Sequence, residues 1–374
     1  MIIQLLSRGM SLKKWAETGL IDRELELLCR LSVSSPLVIM TYNYSIDEEK
    51  SYLNCSGTEN LEILGPPKVF RNFGKLGAYI YLVIMPFLHF GIFLKCDVIR
   101  SNQFSGILPA LIAKILMKKK FIARSGFHYL QTQKFEKSFP LYLCLSIWEK
   151  IIVNTADSVI VASSDYNFEL QKRGIPSVLI QNFVLSAATF TPRKELSVPR
   201  NLYLNRILLV GRIVDQKNYP IVFLAASLLR LKLCVVGNGK FLGELKSFAE
   251  RLDLDVIFYE TLPNEKLLAS MCEFKKFAQL PLYEGNPKTL LEAMYIMRNI
   301  LTWRTYGVDQ KALYGDNVVI LDNPSFATLY RGLMELRDNN EEHTVPELND
   351  SPNSLKSIVG QHSTLIAQLT RESQ

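Results

Sequence analysis

Two glutamates eight positions apart, Glu284 and Glu292, flank a segment with the features of a helix start. Asn286 is a favourable N-cap residue, and Pro287 suits the first helical position because the helix needs no hydrogen bond from its nitrogen. The free amides of such a first turn, with the positive end of the helix dipole, favour an anion. Carboxylates beside an anion site suit a ligand with both hydroxyls and phosphates, such as a nucleotide sugar. The alternative is a solvated loop acid followed by a solvated helix acid.

Two glycine-containing loops come earlier in the same half of the chain. Gly211 follows the apolar run 206–210, and the same loop carries Arg212 and Lys217. Two cations at the carboxyl end of a strand suit a diphosphate, since an arginine can fork across two oxygens. The segment 237–239 is a second turn after a strand, without the third glycine of a dinucleotide fingerprint. The alternatives are an ordinary solvated loop and a plain tight turn.

Short apolar runs alternate with helical patterns along the chain, which favours parallel sheets in α/β domains. Strands of the first half are predicted at Ile2–Leu6, Leu37–Tyr42, Leu61–Leu64, Val98–Arg100, Phe121–Arg124, Ser158–Ala162 and Val178–Gln181. Strands of the second half are predicted at Arg206–Val210, Leu231–Val236, Val256–Tyr259, Phe277–Leu280 and Val318–Leu321. Helices are predicted between them, for example at Ile21–Leu31, Gly106–Met117 and Leu141–Asn154.

At 374 residues the chain is long enough for two domains, each with its own core. The alternating pattern gives way to Ser, Thr, Pro and charged residues between Leu185 and Asn205. We therefore predict an N-terminal domain over 1–190, a linker over 191–205, a C-terminal domain over 206–350, and a C-terminal helix within 351–374 that packs back on the N-terminal domain.

The charge balance and the cysteine pattern narrow the class of partner. The net charge of +7 suits anionic small molecules or an anionic membrane surface, and no nucleic-acid-binding module accompanies it. The six cysteines show no CxxC spacing and there are only four histidines, so no metal site is indicated. We expect reduced thiols in a cytoplasmic protein. The first six residues are too short for a signal-peptide core and are predicted to form a buried strand.

One apolar segment, Leu76–Leu94, contains nineteen residues without Asp, Glu, Lys or Arg, a length that just reaches across a bilayer. Two glycines, a proline and a histidine interrupt it, and a predicted strand follows closely. We therefore expect a buried or membrane-leaning helix here rather than a transmembrane span.

The second half resembles the nucleotide-sugar domain of the family 4 retaining glycosyltransferases, which have the GT-B fold. The hallmarks of that family are Gly-Arg after a strand with a Lys several residues later, a Gly-x-Gly strand end, and a Glu-x7-Glu motif. They correspond here to Gly211-Arg212 with Lys217, Gly237-Asn238-Gly239, and Glu284 with Glu292. The resemblance is close over residues 206–325 and looser in the first half. It implies an α/β protein of two Rossmann-like, doubly wound domains that face a cleft.

The resemblance also implies roles for individual residues. Arg212 and Lys217 would bind the donor diphosphate, Glu284 would contact the donor sugar, and Glu292 would bond the nucleotide ribose. The predicted catalytic set is therefore Glu284, Arg212 and Lys217. The other predicted donor-binding residues are Gly211, Gly237, Asn238, Gly239, Gly285, Asn286, Pro287, Lys288 and Thr289. Two cations positioned where the leaving diphosphate gains charge can supply much of the catalysis, so no metal is expected.

The first half is expected to hold the acceptor. Gly19 lies in a segment that resembles the donor–acceptor loop of such enzymes, although the usual double glycine is missing; the alternative is a helix-ending glycine. Arg124 and His128 follow a strand where relatives often place a sugar-contacting histidine, and Asn102 could bond acceptor hydroxyls. Either Arg124 or His128 could fill that role, and a solvated loop side chain is the alternative for His128 and for Asn102. The adjacent Arg23-Glu24 pair is interpreted as solvated helix charge.

The sequence departs from the family pattern at three places. Asn182 lacks the usual Pro and Gly neighbours, Tyr295–Asn299 replaces a glycine-containing turn, and Asn317 is followed by Val instead of Gly. A competing metal-binding signature, Asp253–Asp255, precedes a strand instead of following one, and we interpret it as a turn from a helix to a strand.

Together these features predict a retaining, hexosyltransferase-like glycosyltransferase without metal or other cofactor. It would move a sugar from a nucleotide-diphosphate sugar to a hydroxyl of a glycan or lipid-linked glycan, in surface polysaccharide or glycolipid assembly. The expected location is the cytoplasm, with peripheral attachment to the inner face of the cell membrane and no nucleic-acid partner. The alternative is a catalytically silent GT-B protein that acts as a binding partner or scaffold, which would require damaged donor loops.

Overall fold

The computed structural model of the chain describes residues 1–53, 58–126, 139–185, 203, 205–305, 315–339, 343–348 and 351–371. The chain divides into two compact units. The first consists of Met1–Gln181 and Leu355–Gln374, and the second of Asn182–Ser354. The second unit is thus continuous in sequence, whereas the first is assembled from two segments.

The first unit is built on a sheet of seven strands. Their bounds are β1 Ile2–Leu5, β2 Leu37–Met40, β3 Leu61–Leu64, β4 Val98–Ser101, β5 Lys120–Ser125, β6 Ser158–Val161 and β7 Ser177–Leu179. All neighbouring pairs are parallel, in the order β3-β2-β1-β4-β5-β6-β7. Strands β1, β2, β4 and β6 are buried along their whole length, as expected for a parallel sheet covered on both faces. The strand order reverses between β1 and β4.

Eight helices of the first unit connect these strands in the described residues. They are α1 Leu12–Glu17, α2 Ile21–Ser32, α3 Ile46–Lys50, α4 Gly74–Leu88, α5 Phe90–Lys95, α6 Leu108–Met117, α7 Phe139–Thr155 and α8 Ser164–Lys172. Helices α1 and α8 begin with serine caps, in which the hydroxyls of Ser11 and Ser163 accept backbone N–H bonds from Lys14 and Tyr166.

The apolar segment Leu76–Leu94 forms most of α4 and α5, which meet at His89. Pro86 lies inside the last turn of α4 and cannot donate a helical hydrogen bond, and the helix ends at Leu88. Within the part of the chain that the structure describes, no helix has both the length and the apolar character needed to cross a bilayer.

The second unit contains a sheet of six parallel strands. Their bounds are β8 Arg206–Val210, β9 Lys232–Val236, β10 Val256–Tyr259, β11 Lys276–Gln279, β12 Asn299–Trp303 and β13 Val318–Leu321. The order is β10-β9-β8-β11-β12-β13, so it reverses between β8 and β11. Strand β12 is not predicted by the sequence analysis, because Asn299 and Thr302 interrupt its short apolar run. It is nevertheless buried along its whole length.

The helices of the second unit cover both faces of its sheet. Their bounds are α9 Tyr219–Leu228, α10 Leu242–Arg251, α11 Asn264–Met271, α12 Lys288–Met294 and α13 Phe326–Asp338. Alternate residues of each strand enter different cores: Leu209 packs with side chains of α9, α10 and α13, whereas Leu208 packs with those of α11 and α12.

The last helix, α14 Leu355–Arg371, belongs to the first unit, where it packs against α2 and β4. Its His362 is buried, and His362 Nε2 lies 3.5 Å from Arg100 Nη2 on β4. The preceding residues stay with the second unit, since Ser354 forms a β-bridge with Val184. The chain therefore leaves the first unit after Gln181 and returns to it at Leu355.

Among the described cysteines, Cys29 differs from the expectation of reduced thiols. Cys29 is disulfide-bonded, whereas Cys96, Cys144, Cys234 and Cys272 are free. The spacing of the cysteines in the sequence does not reveal which sulfur atoms approach one another in the fold, so the expectation is wrong at Cys29.

Candidate functional site

The reversal of strand order in the second unit brings the two predicted halves of the donor site to the same edge. Gly211 directly follows β8, and Glu284 lies in the loop after β11, the neighbouring strand. In open parallel sheets, ligands bind beyond the carboxyl ends of the strands at such a switch point. The cationic loop and the double-glutamate turn therefore lie where a ligand of this fold is expected.

An ion pair joins the two loops. Lys217 Nζ lies 2.5 Å from Glu284 Oε2, and the two side chains are only 14% and 16% exposed. Gln216 reinforces the contact, because its Nε2 donates to the carbonyl of Tyr283 at 2.9 Å and its own carbonyl accepts from the Leu282 amide at 2.8 Å. Gln216 is not among the residues predicted from the sequence, because its role depends on pairing with a loop far along the chain.

Arg212 is placed differently from Lys217. Its side chain is exposed and forms no ion pair with the described residues. Of the two cations predicted to bind the diphosphate, one is thus held by a carboxylate and the other is exposed to solvent. A diphosphate could bind Arg212 without first breaking a contact within the protein.

The glycine loops are required for close backbone approach as well as for turning. The Gly211 amide donates to Val236 O at 3.1 Å, and the Ile213 amide donates to Asn238 O at 2.9 Å. A Cβ at Gly237 would lie 2.0 Å from Gly211 O, and one at Gly239 would lie 2.3 Å from Ile213 O. Neither position can accept a side chain without movement of the backbone. The loops after β8 and β9 thus form one packed layer.

Tyr219, at the start of α9, anchors the first glycine loop. Its hydroxyl donates to Gly211 O at 2.9 Å. Burial raises the pKa of Tyr219 well above its usual value, so the hydroxyl remains a donor at every physiological pH. Nothing in the local sequence pattern distinguishes this tyrosine from a core residue.

The turn between the glutamates differs in one respect from its prediction. Helix α12 begins at Lys288 with Pro287 as its N-cap, so the prediction of Asn286 as the N-cap is wrong. Asn286 instead bonds Asn182, accepting at Oδ1 from the Asn182 amide (3.1 Å) and at its carbonyl from Asn182 Nδ2 (2.9 Å). The competing partner lies more than a hundred residues away in the chain, where sequence patterns cannot register it.

Asn182 is in turn fixed by the end of the second unit. Its carbonyl accepts from Asn353 Nδ2 at 3.1 Å, and Asn353 Oδ1 accepts from the Tyr295 hydroxyl at 3.1 Å. Asn182, Asn286 and Asn353 are all buried. Buried amides that satisfy one another in this way stabilise a single loop conformation. Tyr295 is the first residue of the segment that replaces the family's glycine-containing turn. Through Asn353 and Asn182 it therefore helps to fix the double-glutamate turn.

Asn317, which is followed by Val instead of the family's Gly, bonds the residues at and just after the end of α12. It is fully buried, and its Nδ2 donates to the carbonyls of Met294 at 2.8 Å and Met297 at 2.6 Å. These bonds satisfy the carbonyl of Met294, the last residue of α12, and that of Met297 just beyond the helix. Glu292, on the preceding turn of α12, is likewise buried. Gly285 and Pro287 are buried, and Lys288 and Thr289 are half-buried.

The corresponding edge of the first unit carries a buried network of charges. Arg124 Nη1 donates to Asn102 Oδ1 at 2.9 Å and lies 3.3 Å from Glu24 Oε2, and Arg23 Nη2 lies 3.1 Å from Glu24 Oε1. The interpretation of Arg23 and Glu24 as solvated charges is therefore wrong, because Arg124 from a distant strand pairs with the carboxylate. The acceptor roles of Arg124 and Asn102 stay predictions, and His128 lies outside the described residues.

Arg100 lies deeper in the same network. It is fully buried and bonds Gln4 Oε1, and burial lowers the pKa of its guanidinium to about 9. Burial, and then the charge of Arg100, lowers the pKa of His362 well below its usual value. The imidazole is therefore neutral at physiological pH.

Gly19 ends a helix in the structure. It has φ +68, and its amide donates to Ala16 O at 3.1 Å just after the last turn of α1. This left-handed conformation after a helix favours glycine whatever the ligand. The donor contact predicted for Gly19 stays a prediction.

The Asp253–Asp255 segment forms the turn between α10 and β10, as predicted. The Asp255 carboxylate lies 2.7 Å from Arg206 Nη2. This pair links the turn to the first strand of the second unit.

Comparison with known proteins agrees with this geometry. Residues 181–348 match the family model described as glycosyl transferases group 1, a range that includes both glycine loops and both glutamates. No curated protein sequence matches the chain.

Solved structures match along the whole chain. A sucrose-phosphate synthase from Thermosynechococcus elongatus aligns with TM-score 0.73 and 15% identity, covering 100% of each chain. The lipopolysaccharide outer core galactosyltransferase WaaB aligns with TM-score 0.66 and 17% identity, covering 98% of this chain and 99% of the other. Anabaena HepE, solved in complex with UDP and glucose, aligns with TM-score 0.65 and 13% identity, covering 98% and 99%.

At these identities the likeness establishes the fold, and the predicted GT-B fold is confirmed. The chain thus has the fold of the GT-B glycosyltransferases, and its second unit contains most of the range that is similar to the group 1 glycosyl transferases.

Proposed function

We propose that this protein transfers a sugar from a nucleotide-diphosphate sugar to a hydroxyl acceptor with retention of anomeric configuration. The observation that carries the proposal is the Lys217–Glu284 pair at the switch point of the second sheet, beside the exposed Arg212. Intact glycine loops and a family match over the same residues support it.

The ion pair suggests how the donor is received. The donor diphosphate would replace Glu284 as the partner of Lys217, with Arg212 on its other oxygens. Glu284 would then be free to accept a hydrogen bond from a hydroxyl of the sugar. The exchange keeps Lys217 paired at each stage, so that no buried charge is left alone.

The transfer itself requires charge stabilisation and positioning. The bond from the anomeric carbon to the diphosphate breaks while the acceptor hydroxyl bonds that carbon on the same face, and its proton passes to a departing phosphate oxygen. The cations stabilise the leaving diphosphate as its charge grows. No enzyme nucleophile, metal or other cofactor is needed in this proposal.

The similar structures give a first choice of donor and acceptor. HepE has been solved with UDP and with UDP-glucose, so a uridine nucleotide is the first donor to test. WaaB is a lipopolysaccharide galactosyltransferase, which supports a hexose donor and a glycan or lipid-linked glycan acceptor. We extend the proposal to surface polysaccharide or glycolipid assembly on the cytoplasmic face of the cell membrane.

Nucleotide binding is the first test. Thermal unfolding is measured with UDP, GDP, ADP and CMP, and one nucleotide should stabilise the protein, by about 2.7 kcal/mol at a hundred times its Kd. Lys217→Ala should abolish that stabilisation. Lys240→Ala is the matched control, because Lys240 lies in the neighbouring loop and pairs only at the surface with Asp215. Stabilisation by none of the four would favour a silent GT-B scaffold.

Catalysis is tested with a nucleotide sugar that carries the same base as the nucleotide that stabilises the protein. Glu284→Ala and Lys217→Ala should each abolish release of the sugar while the fold, followed by circular dichroism, is retained. Full activity in both variants would contradict the proposal. Proton NMR should show that the sugar first released has the same anomeric configuration as it has in the donor. The opposite configuration would rule out the retaining mechanism.

A further inference from the structure

Helix α4 exposes large apolar side chains where a surface helix normally carries polar ones. Leu76, Tyr79, Val83 and Phe87 recur every three or four residues along one face, and each is 47% to 60% exposed. The opposite face, including Tyr81, is buried. A helix that is apolar all round is ordinarily covered on all sides. Within the described first unit, only half of this helix is covered.

The exposed face continues onto neighbouring helices. Helix α4 packs against α6, and α6 contacts both α5 and α7. Helix α5 exposes Phe90 and Leu94, which are one turn apart, and α7 exposes Ile147 and Ile151 with the same spacing. We call the exposed apolar residues of α4, α5 and α7 the apolar patch. Several neighbouring helices contribute to it, so its residues are clustered and are not single apolar residues scattered over the surface.

Within the helices that form and adjoin the apolar patch, the exposed charges have one sign. Helices α4, α5 and α6 contain no Asp or Glu, and the single acid of α7, Glu149, is buried. Exposed cations occur at the ends of these helices and within α7, at Lys95, Lys118 and Lys150. An apolar surface whose helices carry exposed cations and no exposed acid complements a surface that is apolar inside and anionic outside.

We propose that the apolar patch docks this protein on an anionic phospholipid bilayer, lying in the interface without crossing it. Aromatic and aliphatic side chains would enter the boundary between headgroups and acyl chains, while the lysines meet lipid phosphates. Neither α4 nor α5 is long enough to span. The proposal does not rest on the transfer activity, since docking is measured without donor or acceptor.

Vesicle flotation tests the apolar part of the docking. The full chain is mixed with vesicles of phosphatidylglycerol and phosphatidylcholine and should float with them. The double variant Val83→Glu/Phe87→Glu should lower the bound fraction at least roughly tenfold, and Ile147→Glu should lower it as well. Leu228→Glu is the matched control, because Leu228 is an apolar residue of α9 that is 60% exposed in the second unit. It should float like the wild type.

A second pair of variants tests the charges. Lys150→Glu should reduce binding to the anionic vesicles about tenfold, since it removes one cation and adds one anion near the surface. Lys172→Glu, an exposed lysine of α8, should not. Pure phosphatidylcholine vesicles should bind the wild type more weakly than anionic ones.

Three results would overturn the proposal. The wild type would fail to float with anionic vesicles, or the patch variants would float like the Leu228→Glu control. Alternatively, ultracentrifugation in lipid-free buffer would show a dimer that Val83→Glu/Phe87→Glu dissolves, which would identify a second copy as the occupant. Because all substituted side chains are exposed, melting temperatures should match the wild type, and Ile147→Glu provides an independent test on another helix.

Discussion

The two sheets reverse their strand order in the same manner, but the residues at the two reversals are held in opposite ways. In the second unit the backbone of Gly211 packs directly on Gly237, and Lys217 pairs with Glu284 above them. In the first unit the space beside β1 and β4 is filled by buried charged side chains around Glu24. The topology provides an edge in both units, and local chemistry decides how that edge is used.

The difference lies in how readily a ligand could replace an internal partner. Lys217 contacts one carboxylate, which a diphosphate can replace with stronger charge. Glu24 is shared by Arg23 and Arg124, so its removal would leave two guanidinium groups without their carboxylate in a buried place. We infer that the pair in the second unit is suited to exchange, and that the network in the first unit mainly stabilises its fold.

The largest effect should come from filling the space between the glycine loops. Gly237→Ala places a Cβ 2.0 Å from Gly211 O, so the backbone must move, at a cost of about 3 kcal/mol in the free energy of unfolding. Nucleotide binding should be lost with it. Gly243→Ala is the control, since its Cβ would meet nothing within 4 Å. Urea unfolding of both variants checks this, and equal stabilities would show that the loops are not tightly packed.

A smaller effect is expected in the charge network of the first unit. Glu24→Gln keeps the shape but removes the charge shared by two arginines, and should lower the free energy of unfolding by about 2 kcal/mol. Glu26→Gln, on the same helix, affects only the exposed pair with Arg30 and should change it by less than about 0.5 kcal/mol. Denaturant titration compares the two. A Glu24→Gln variant as stable as Glu26→Gln would contradict a stabilising role for the network.

The smallest and most selective effect is a dependence of the stability on pH that is caused by His362. Its pKa in the folded protein is lowered by burial and by Arg100, whereas the unfolded chain has the ordinary value near 6.5. The unfolded state therefore binds more protons below about pH 6.5, and stability should fall as the pH drops through that range. Above it, the histidine should contribute no slope.

His362→Gln should reduce this loss between about pH 7 and pH 5, measured as the shift of melting temperature. His343→Gln is the control, since His343 lies in the second unit and is only half-buried. An unchanged slope in His362→Gln would mean that other groups cause the loss.

The parts of the fold and site that sequence predicts are those with local causes. Glycines and cations directly after buried strands could be recognised because strand and loop are adjacent in the chain. The failures involve partners far away in sequence: Asn286 bonds Asn182 instead of capping α12, and Glu24 is buried by Arg124. Strand β12 was missed because its two polar residues, Asn299 and Thr302, conceal a buried run.

The place of α14 in the chain has a consequence for biosynthesis. The second unit, Asn182–Ser354, leaves the ribosome as one uninterrupted segment, whereas α2 and β4 wait for Leu355–Arg371 before they are covered. Domains usually acquire their structure in the order in which they are translated. Here we expect the reverse: a released chain truncated after Ser354 should contain a protease-resistant second unit and a protease-sensitive first unit. Until translation passes α14, Arg100 would lack its covering histidine, and the first unit would be the segment that chaperones must protect.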